Sequence, residues 1–272
     1  MRTAILAAVV AAALAAPSLP AAPPPAAGAQ AAPPAGGISP RDRLLAESLA
    51  RRLGRAPDRI EPAPLPGWRF AIFGEQAALV SADGRWLVDG AVISLERGED
   101  VLAERRRGLL LDAVEGFGEA NMIVFPARGA ERHRLTVFTD VDCPYCRRFH
   151  QEVPALNEAG VTVRYVPFSL VPAGTERRRR MESVWCAKDR RAALTAAKAG
   201  EAVPARRCED PVEAGTRLGR RLGFEGTPTI VTGRGRVLRG YVPRDRLLGL
   251  LAREKDAAAG TRAERGQPRP AQ

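Results

Sequence analysis

Two cysteines separated by two residues, Cys143 and Cys146, lie between a strand-like run and a helical stretch, and this arrangement constrains the fold more than any other feature of the chain. The run LTVFT (135–139) predicts a strand before the pair, and VTVRYVPF (161–168) predicts another after the helix. Strands that alternate with helices indicate an α/β domain. The pattern therefore places Cys143 at the N-terminus of a helix that follows a strand.

The rest of the second half continues this alternation. The predicted elements are, in order, a helix over 175–199, a helix over 216–222, the strands TPTIVT (227–232) and RVLRGYV (236–242) joined by a turn at 233–235, and a closing helix over 243–253. The tail from residue 255 is polar, and we expect it to be disordered.

The first half has a different pattern. Ser39 can cap a helix whose first residue is Pro40, and Gly54 can end it. Short alternating runs then predict β structure with a hairpin signal at Asp83-Gly84; they are WRFAIF (68–73), AALVS (77–81), RWLVD (85–89) and AVISL (91–95). A helical pattern over 99–115 has a polar middle at 104–107, which predicts a solvent-exposed connector.

The N-terminus predicts export. A basic start is followed by a short apolar, alanine-rich run, and small-x-small cleavage signals occur at 13–15 and 27–29, which is typical of a secretory signal peptide. An exported protein meets an oxidising compartment in which cysteines tend to pair. The formal net charge of +11 favours contact with acidic surfaces, or simply reflects an arginine-rich composition.

The cysteine pair has three chemical interpretations. As a redox dithiol, Cys143 needs a thiolate, which a helix N-terminus favours; Arg147 and Arg148 assist, whereas Asp140 and Asp142 oppose it. As a metal site, Cys143, Cys146 and His150 have suitable spacing, but no second CxxC is present. A structural bridge across two residues would constrain little, and haem attachment needs a histidine where Arg147 stands.

Cys186 and Cys208 remain once Cys143 and Cys146 form a dithiol, so they pair by elimination, with free buried thiols as the alternative. Thr227-Pro228 begins a predicted strand about eighty residues after the cysteine pair. An ordinary edge-strand proline explains it equally well, since only about 5–6% of X–Pro bonds are cis.

Together these segments resemble one family. FTDVDCPYCRRFH, VTVRYVPF, SVWCAKD, the later Cys208, GTPTIV and GYV are similar to the catalytic domain of the DsbC/DsbG disulfide isomerases. LLAESLARRLG, IEPAPLPGW and ALVSADGRWLVDGAVISL, with the helix into MIVF, resemble that family's dimerisation domain and linker helix. The resemblance runs from about Ser39 to Arg253.

The resemblance implies the roles of the site residues. Cys143 is expected to be the exposed nucleophile and Cys146 the resolving thiol, with Pro144 and Tyr145 between them in the active-site motif. Thr227 and Pro228 are expected to form a cis-proline loop that pairs with a client strand. Cys186–Cys208 is implied to be a structural disulfide. No metal and no other cofactor is expected.

The resemblance also implies the fold class: α+β and α/β, with an N-terminal cystatin-like β-rich dimerisation domain, a linker helix and a C-terminal thioredoxin-like domain with a helical insertion. The expected divisions are a signal peptide (1–29), a disordered linker (30–38), the dimerisation domain (39–98), the linker helix (99–118), the catalytic domain (119–254) and a disordered tail (255–272).

Three features depart from the family pattern. Pro144-Tyr145 matches the DsbG branch, whereas the second cysteine pair and WCAKD resemble DsbC. Pro154 is expected to kink the active-site helix. The run Arg177–Arg180 is interpreted as a solvated helix face, or alternatively as a contact for acidic clients.

These observations predict a periplasmic thiol:disulfide interchange protein that isomerises or reduces wrong disulfides in exported proteins. It is expected to be a homodimer, to be kept reduced by a DsbD-type membrane reductase, and not to bind nucleic acid. The alternatives are a DsbG-like protective reductase of oxidised single cysteines, a periplasmic holdase chaperone, and a dithiol oxidase.

Overall fold

The computed structural model describes residues 39–264, with side chains as far as Glu254. The predicted signal peptide (1–29), the predicted linker (30–38) and residues 265–272 lie outside the described residues. The elements are α1 (Pro40–Leu53), β1 (Arg59–Pro62), β2 (Trp68–Phe73), β3 (Gln76–Ser81), β4 (Leu87–Val88), α2 (Val101–Gly116), β5 (Ile123–Phe125), β6 (His133–Thr139), α3 (Pro144–Glu158), β7 (Val161–Pro167), α4 (Glu176–Trp185), α5 (Arg190–Ala199), α6 (Val212–Arg221), β8 (Thr229–Thr232), β9 (Val237–Arg239) and α7 (Arg244–Glu264).

The first half is an antiparallel sheet with the strand order β1-β2-β3-β4, and α1 packs against it through Leu45 and Leu49. The predicted caps of α1 are confirmed: the Ser39 side chain accepts a hydrogen bond from the Asp42 amide at 3.1 Å, and Gly54 ends the helix with φ 66°.

The run AVISL does not join this sheet, so its prediction as a strand is wrong. Ile93 makes only an isolated bridge to Asp100. The Asp100 carboxylate accepts hydrogen bonds from the amides of Val92, Leu102 and Ala103, and the Val101 amide donates to the Val92 carbonyl. The segment is therefore held against the start of α2, where its backbone groups find their partners.

Helix α2 is packed on both sides, which corrects its interpretation as a solvent-exposed connector. Leu102 and Leu109 belong to the apolar core beneath the first sheet, whereas Leu110 and Val114 belong to a core of the second half. Its polar middle also docks on the first half, because Arg105 binds the Glu61 carboxylate at 2.8 and 3.0 Å. Apolar spacing alone did not reveal this two-sided burial.

The second half is a five-stranded mixed sheet with the order β5-β7-β6-β8-β9. β6 and β7 are parallel, and the other neighbours are antiparallel. Helices cover both faces, so the central strands are largely buried; Leu135, Val137, Val163 and Tyr165 have no solvent exposure. The cysteine pair follows β6 directly, at the end of this buried strand.

Three predicted helices have different bounds. The stretch 175–199 forms two helices, because Asp189 caps α5 by accepting a hydrogen bond from the Ala192 amide at 3.0 Å. Helix α6 begins at Val212, before the predicted start, and α7 continues to Glu264. The segment 255–264, predicted to be disordered, is thus helical.

Helix α3 continues through Pro154. Within the described residues, no helix combines the length and apolar character needed to cross a membrane.

Candidate active site

Cys143 is the N-cap residue of α3, and Pro144 is the first residue of the helix. The Cys143 backbone is extended (φ −70°, ψ 123°), and its carbonyl accepts a hydrogen bond from the Arg147 amide at 3.0 Å. The Cys143 side chain is half-buried, whereas Cys146, in the first turn, is 1% exposed. The strand-to-helix junction therefore presents one sulfur to solvent and covers the other.

The Cys143 thiol is strongly acidic. A hydrogen bond from the Cys146 side chain is the largest cause that lowers the pKa of Cys143 to about 5. A Thr227 side-chain hydrogen bond and the backbone amides of Cys146 and Tyr145 act in the same direction, and partial burial opposes them. Free amides at a helix N-terminus stabilise a thiolate in this way. This pKa favours the thiolate form of the Cys143 sulfur at neutral pH.

Cys146 has the opposite character. Burial raises the pKa of the Cys146 thiol, and its hydrogen bond to Cys143 raises it further. The charge of Lys198 and a hydrogen bond with Thr139 act against this rise. The two sulfurs of the motif therefore differ in protonation. The outer sulfur, of Cys143, is ionised, and the inner sulfur, of Cys146, is protonated and donates a hydrogen bond to it.

The loop before β8 lies against the outer sulfur. The Thr227-Pro228 peptide bond is cis, and Cys143 Sγ lies 3.3 Å from the Thr227 carbonyl oxygen. The Pro228 carbonyl already accepts a hydrogen bond from the Gly240 amide at 2.8 Å. Pairing of this loop with a client strand would therefore depend on the backbone of Thr227.

The two carboxylates before the cysteine pair are neutralised by arginines. Asp142 Oδ1 lies 3.0 Å from Arg147 Nη2 and 2.9 Å from Arg180 Nη1. Arg177 approaches Asp140 at 3.4 Å. The sequence left open whether these acids would offset the positive charges beside Cys143. Their ion pairs leave the thiolate facing little net negative charge.

The prediction that the run Arg177–Arg180 is a solvated helix face is wrong for two of its four arginines. Arg178 is 3% exposed and pairs with Glu182 and Glu213 at 3.2 and 2.8 Å. Arg180 is half-buried at Asp142. Arg178 and Arg180 are two residues apart and lie on different sides of α4. Arg178 meets Glu182 of its own helix and Glu213 of α6, and Arg180 meets Asp142. Arg177 and Arg179 remain exposed.

His150, considered above as a metal ligand, is engaged by protein groups at both ring nitrogens. Nδ1 lies 2.9 Å from the Tyr165 hydroxyl, and Nε2 lies 3.1 Å from Thr195 Oγ1. Burial lowers the pKa of His150 to about 4, and the charge of Lys198 adds to the effect. Among the described residues there is no group of three or more His, Cys, Asp or Glu arranged to hold a metal ion.

The other two cysteines, Cys186 and Cys208, are joined by a disulfide with an S–S distance of 2.07 Å and a Cα–Cα distance of 5.7 Å. Cys186 is the C-cap residue of α4, and Cys208 lies in the segment before α6. The bridge therefore closes a loop that contains α5.

One residue of the site was missed by sequence reasoning. Lys198, in the last turn of α5, is 4% exposed, and its Nζ donates hydrogen bonds to Thr139 Oγ1 and to the Asp140 carbonyl, each at 2.7 Å. Leu194, Ala197 and Lys198 follow the i, i+3, i+4 spacing of a buried helix face, so the spacing contained the signal. It was hidden in an alanine-rich helix, where a lysine is usually exposed.

Comparison with known proteins gives two family matches. Residues 120–255 match the thioredoxin-like domain model, and residues 21–103 match the model of the disulfide bond isomerase protein N-terminal domain. This arrangement confirms the expected fold class, with a β-rich N-terminal domain, a linking helix and a thioredoxin-like domain.

Curated relatives extend over most of the chain. The thiol:disulfide interchange protein DsbC of Salmonella typhimurium is 33% identical over 200 residues, covering 74% of this chain and 82% of the relative. DsbC of Escherichia coli strain K12 is 28% identical over 224 residues, covering 82% and 93%. A solved disulfide interchange protein from Neisseria gonorrhoeae is 30% identical, covering 50% of this chain and 96% of that one, with a TM-score of 0.45.

Proposed function

The chain belongs to the DsbC family of thiol:disulfide interchange proteins, and we propose that it isomerises or reduces wrong disulfides of exported proteins through the Cys143–Cys146 dithiol. The observation that carries this proposal is the difference in protonation and burial between the two sulfurs. An accessible thiolate stands at the start of α3, and a protonated thiol stands one turn inside it.

The first step is attack of the Cys143 thiolate on one sulfur of a client disulfide. A new S–S bond joins Cys143 to the client, the client's own S–S bond breaks, and its second sulfur leaves as a thiolate. No proton has to be removed from Cys143 beforehand, because at neutral pH its pKa of about 5 already leaves it ionised.

The mixed disulfide then has two outcomes. If another client thiolate attacks the client sulfur of the bond, a rearranged client leaves and the Cys143 thiolate returns, which is isomerisation. If Cys146 attacks Cys143 Sγ, the Cys143–Cys146 disulfide forms and the client leaves reduced by two electrons. A DsbD-type membrane reductase would return the dithiol to its reduced state.

The loop at Thr227 and Pro228 is proposed to hold the client beside Cys143. Its support is the 3.3 Å contact between Cys143 Sγ and the Thr227 carbonyl oxygen. An extended client segment adding to this backbone would bring its disulfide into line with the sulfur.

The N-terminal domain is proposed to form a homodimer. β4 is an edge strand of the first sheet, and apolar side chains just before it and beyond it are exposed: Trp86 is 65% exposed, Ile93 52% and Leu95 97%. An unpaired edge with apolar neighbours favours pairing with a second copy. We propose the periplasm as the location because of the signal-peptide pattern in residues 1–29.

Trapping tests the proposal. Cys146→Ala removes the resolving sulfur, so clients that react with Cys143 should remain attached and appear as high-mass species that a reductant dissolves. The matched control is the double variant Cys143→Ser/Cys146→Ala, which should trap nothing. An empty trap in the single variant, made in an exporting cell under oxidative stress, would remove the proposed function.

A second candidate, a protective reductase of oxidised single cysteines, is favoured by the Pro144-Tyr145 pair with Tyr145 60% exposed at the mouth of the site. The two candidates differ in substrate. A scrambled protein with several disulfides should be repaired by an isomerase, whereas a protein bearing one sulfenic acid should be the better substrate of a protective reductase.

A further inference from the structure

Lys198 is buried without a carboxylate partner. Among the described residues, its ammonium bonds only two neutral oxygens, Thr139 Oγ1 and the Asp140 carbonyl. A buried charge held by neutral groups alone is costly, so a purely structural anchor of α5 would be better served by a neutral side chain. The burial of Lys198 is therefore better explained by a role in which its side chain gains or loses a proton.

The hydroxyl that Lys198 binds also reaches the inner sulfur. Thr139 has no solvent exposure and lies at the end of β6, and a hydrogen bond with its side chain acts to lower the pKa of the Cys146 thiol. Thr139 thus stands between the Cys146 thiol and Lys198 Nζ. A hydroxyl can accept one proton while it donates its own, so these three groups form a continuous path.

Cys146 needs such a path. Its sulfur must lose a proton when it attacks, yet it is 1% exposed, and water has poor access to it. Burial also raises the pKa of this thiol, so that it does not ionise by itself near neutral pH. A nearby base that changes its protonation close to neutral pH removes this obstacle.

We propose that Lys198, acting through the Thr139 hydroxyl, receives the proton of Cys146 when this thiol resolves a mixed disulfide. The inference rests on the proposed dithiol function. In this step the Cys146–Cys143 S–S bond forms, the bond from Cys143 to the client breaks, and the client sulfur leaves as a thiolate with the electron pair. The Cys146 proton passes to Thr139 Oγ1 as the hydroxyl proton passes to neutral Nζ.

Lys198 has a suitable proton affinity. Burial lowers the pKa of Lys198 to about 8, against the attraction of Cys146, Asp140 and Cys143, and Arg147 lowers it further. The other titrating neighbour, His150, has a pKa of about 4. Arg180 of α4 donates a hydrogen bond to the Ala197 carbonyl next to Lys198. A titration step near pH 8 in resolution therefore belongs to Lys198.

The test is a single-turnover reaction of the reduced full chain with a fluorescent peptide that carries one disulfide. The second-order phase reports attack by Cys143, and the later first-order phase reports release by Cys146. In the wild type, release should rise severalfold above pH 7 and level off by pH 9, with a midpoint at or somewhat below about 8, because the mixed disulfide lacks the Cys143 charge that raises the Lys198 pKa.

Lys198→Met is the diagnostic variant, because methionine fills similar space and carries no proton. Release at pH 7 should slow at least about tenfold and should lose its plateau, rising steadily with pH, while attack by Cys143 stays within about twofold. Lys188→Met makes the same change at an exposed lysine and should leave both phases as in the wild type.

The outcomes are separable. If release in Lys198→Met keeps its rate and its midpoint near pH 8, the inference is overturned and the proposed function stands. If no mixed disulfide forms in the wild type, both are overturned. Thr139→Val, which keeps the shape and removes the hydroxyl, should reproduce the loss of the plateau, and a normal profile in that variant would also overturn the relay.

A measurement on the wild type covers the case in which Lys198→Met does not fold. The Lys198 Cε resonance should titrate near pH 8 in the reduced protein and at lower pH in the Cys143–Cys146 disulfide, because oxidation removes the negative charge of the Cys143 thiolate, which raises the Lys198 pKa. A midpoint above 10 in both redox states would overturn the inference.

Discussion

Removal of the Cys186–Cys208 disulfide should destabilise the second half of the chain by about 3 kcal/mol. The two cysteines are 22 residues apart in sequence, and closing a loop of this length in the unfolded chain costs about 3 kcal/mol of chain entropy at 25 °C. Without the bridge the unfolded chain regains this entropy, while the folded helices α4 and α5 keep their packing.

The comparison needs a background that contains no other thiol. Cys143→Ala/Cys146→Ala serves as the reference, and Cys186→Ala/Cys208→Ala is added to it, so that both proteins can be unfolded without reductant. Urea unfolding followed by tyrosine and tryptophan fluorescence gives the free energy and the slope m. We expect the free energy to fall and m to rise, because the unlinked chain exposes more surface.

A loss below about 1 kcal/mol with an unchanged m would refute this reasoning. It would mean that the bridge does not restrict the unfolded chain in the way that its loop length predicts. The unfolding transition of the first sheet, whose core residues are separate from this loop, should not move and provides an internal control.

Three other predictions concern different parts of the molecule. Glu115→Gln should cost about 2 kcal/mol in urea unfolding, more than Arg164→Met, because it leaves the 3%-exposed Arg164 guanidinium with only the more distant carboxylate of Glu119, at 3.7 Å; the reverse order would contradict this. Sedimentation should give twice the mass of one mature chain, and Trp86→Glu should shift the protein towards the monomer; a single-chain mass for the wild type would refute the dimer. Cys143→Ser should abolish disulfide shuffling but leave suppression of client aggregation in place, and loss of both would count against a holdase function.

Much of the fold was predictable because local signals agreed with tertiary packing. Local conformation is specified by the caps at Ser39 and Gly54 and by the apolar patterns of WRFAIF and LTVFT. In each case the specified conformation is compatible with packing in the core. The sequence also contained a signal for the break within 175–199, because Asp189 is a good N-cap residue. The helical pattern on both sides of Asp189 obscured this signal.

The errors came from partners distant in sequence. AVISL has strand-like residues, but its Val92 amide donates a hydrogen bond to the carboxylate of Asp100, the residue that caps α2. The segment therefore does not join the sheet. The inward turn of Arg178 depends on Glu213, 35 residues away. A pattern within one segment does not show which other segment supplies a charge.

The two sulfurs of the candidate site could be predicted from the sequence, whereas the charges and hydrogen bonds around them could not. The motif identified Cys143 and Cys146 at once. The sign of the shift in the Cys143 pKa was not predictable, because its largest cause is a hydrogen bond from the Cys146 side chain, assisted by Thr227, and these contacts exist only in the folded chain. Lys198 was missed because its burial depends on how α5 lies against the end of β6.

The most direct test of the account is the rate at which iodoacetamide alkylates Cys143 in the reduced wild-type protein between pH 3 and 10. The thiolate alone reacts, so the rate follows its fraction, and Cys146 is covered. We predict a midpoint near pH 5, with almost all of the sulfur ionised at pH 7. A midpoint between about 8 and 9, the range of an ordinary free cysteine, would contradict the claim that Cys143 acts as a ready thiolate nucleophile.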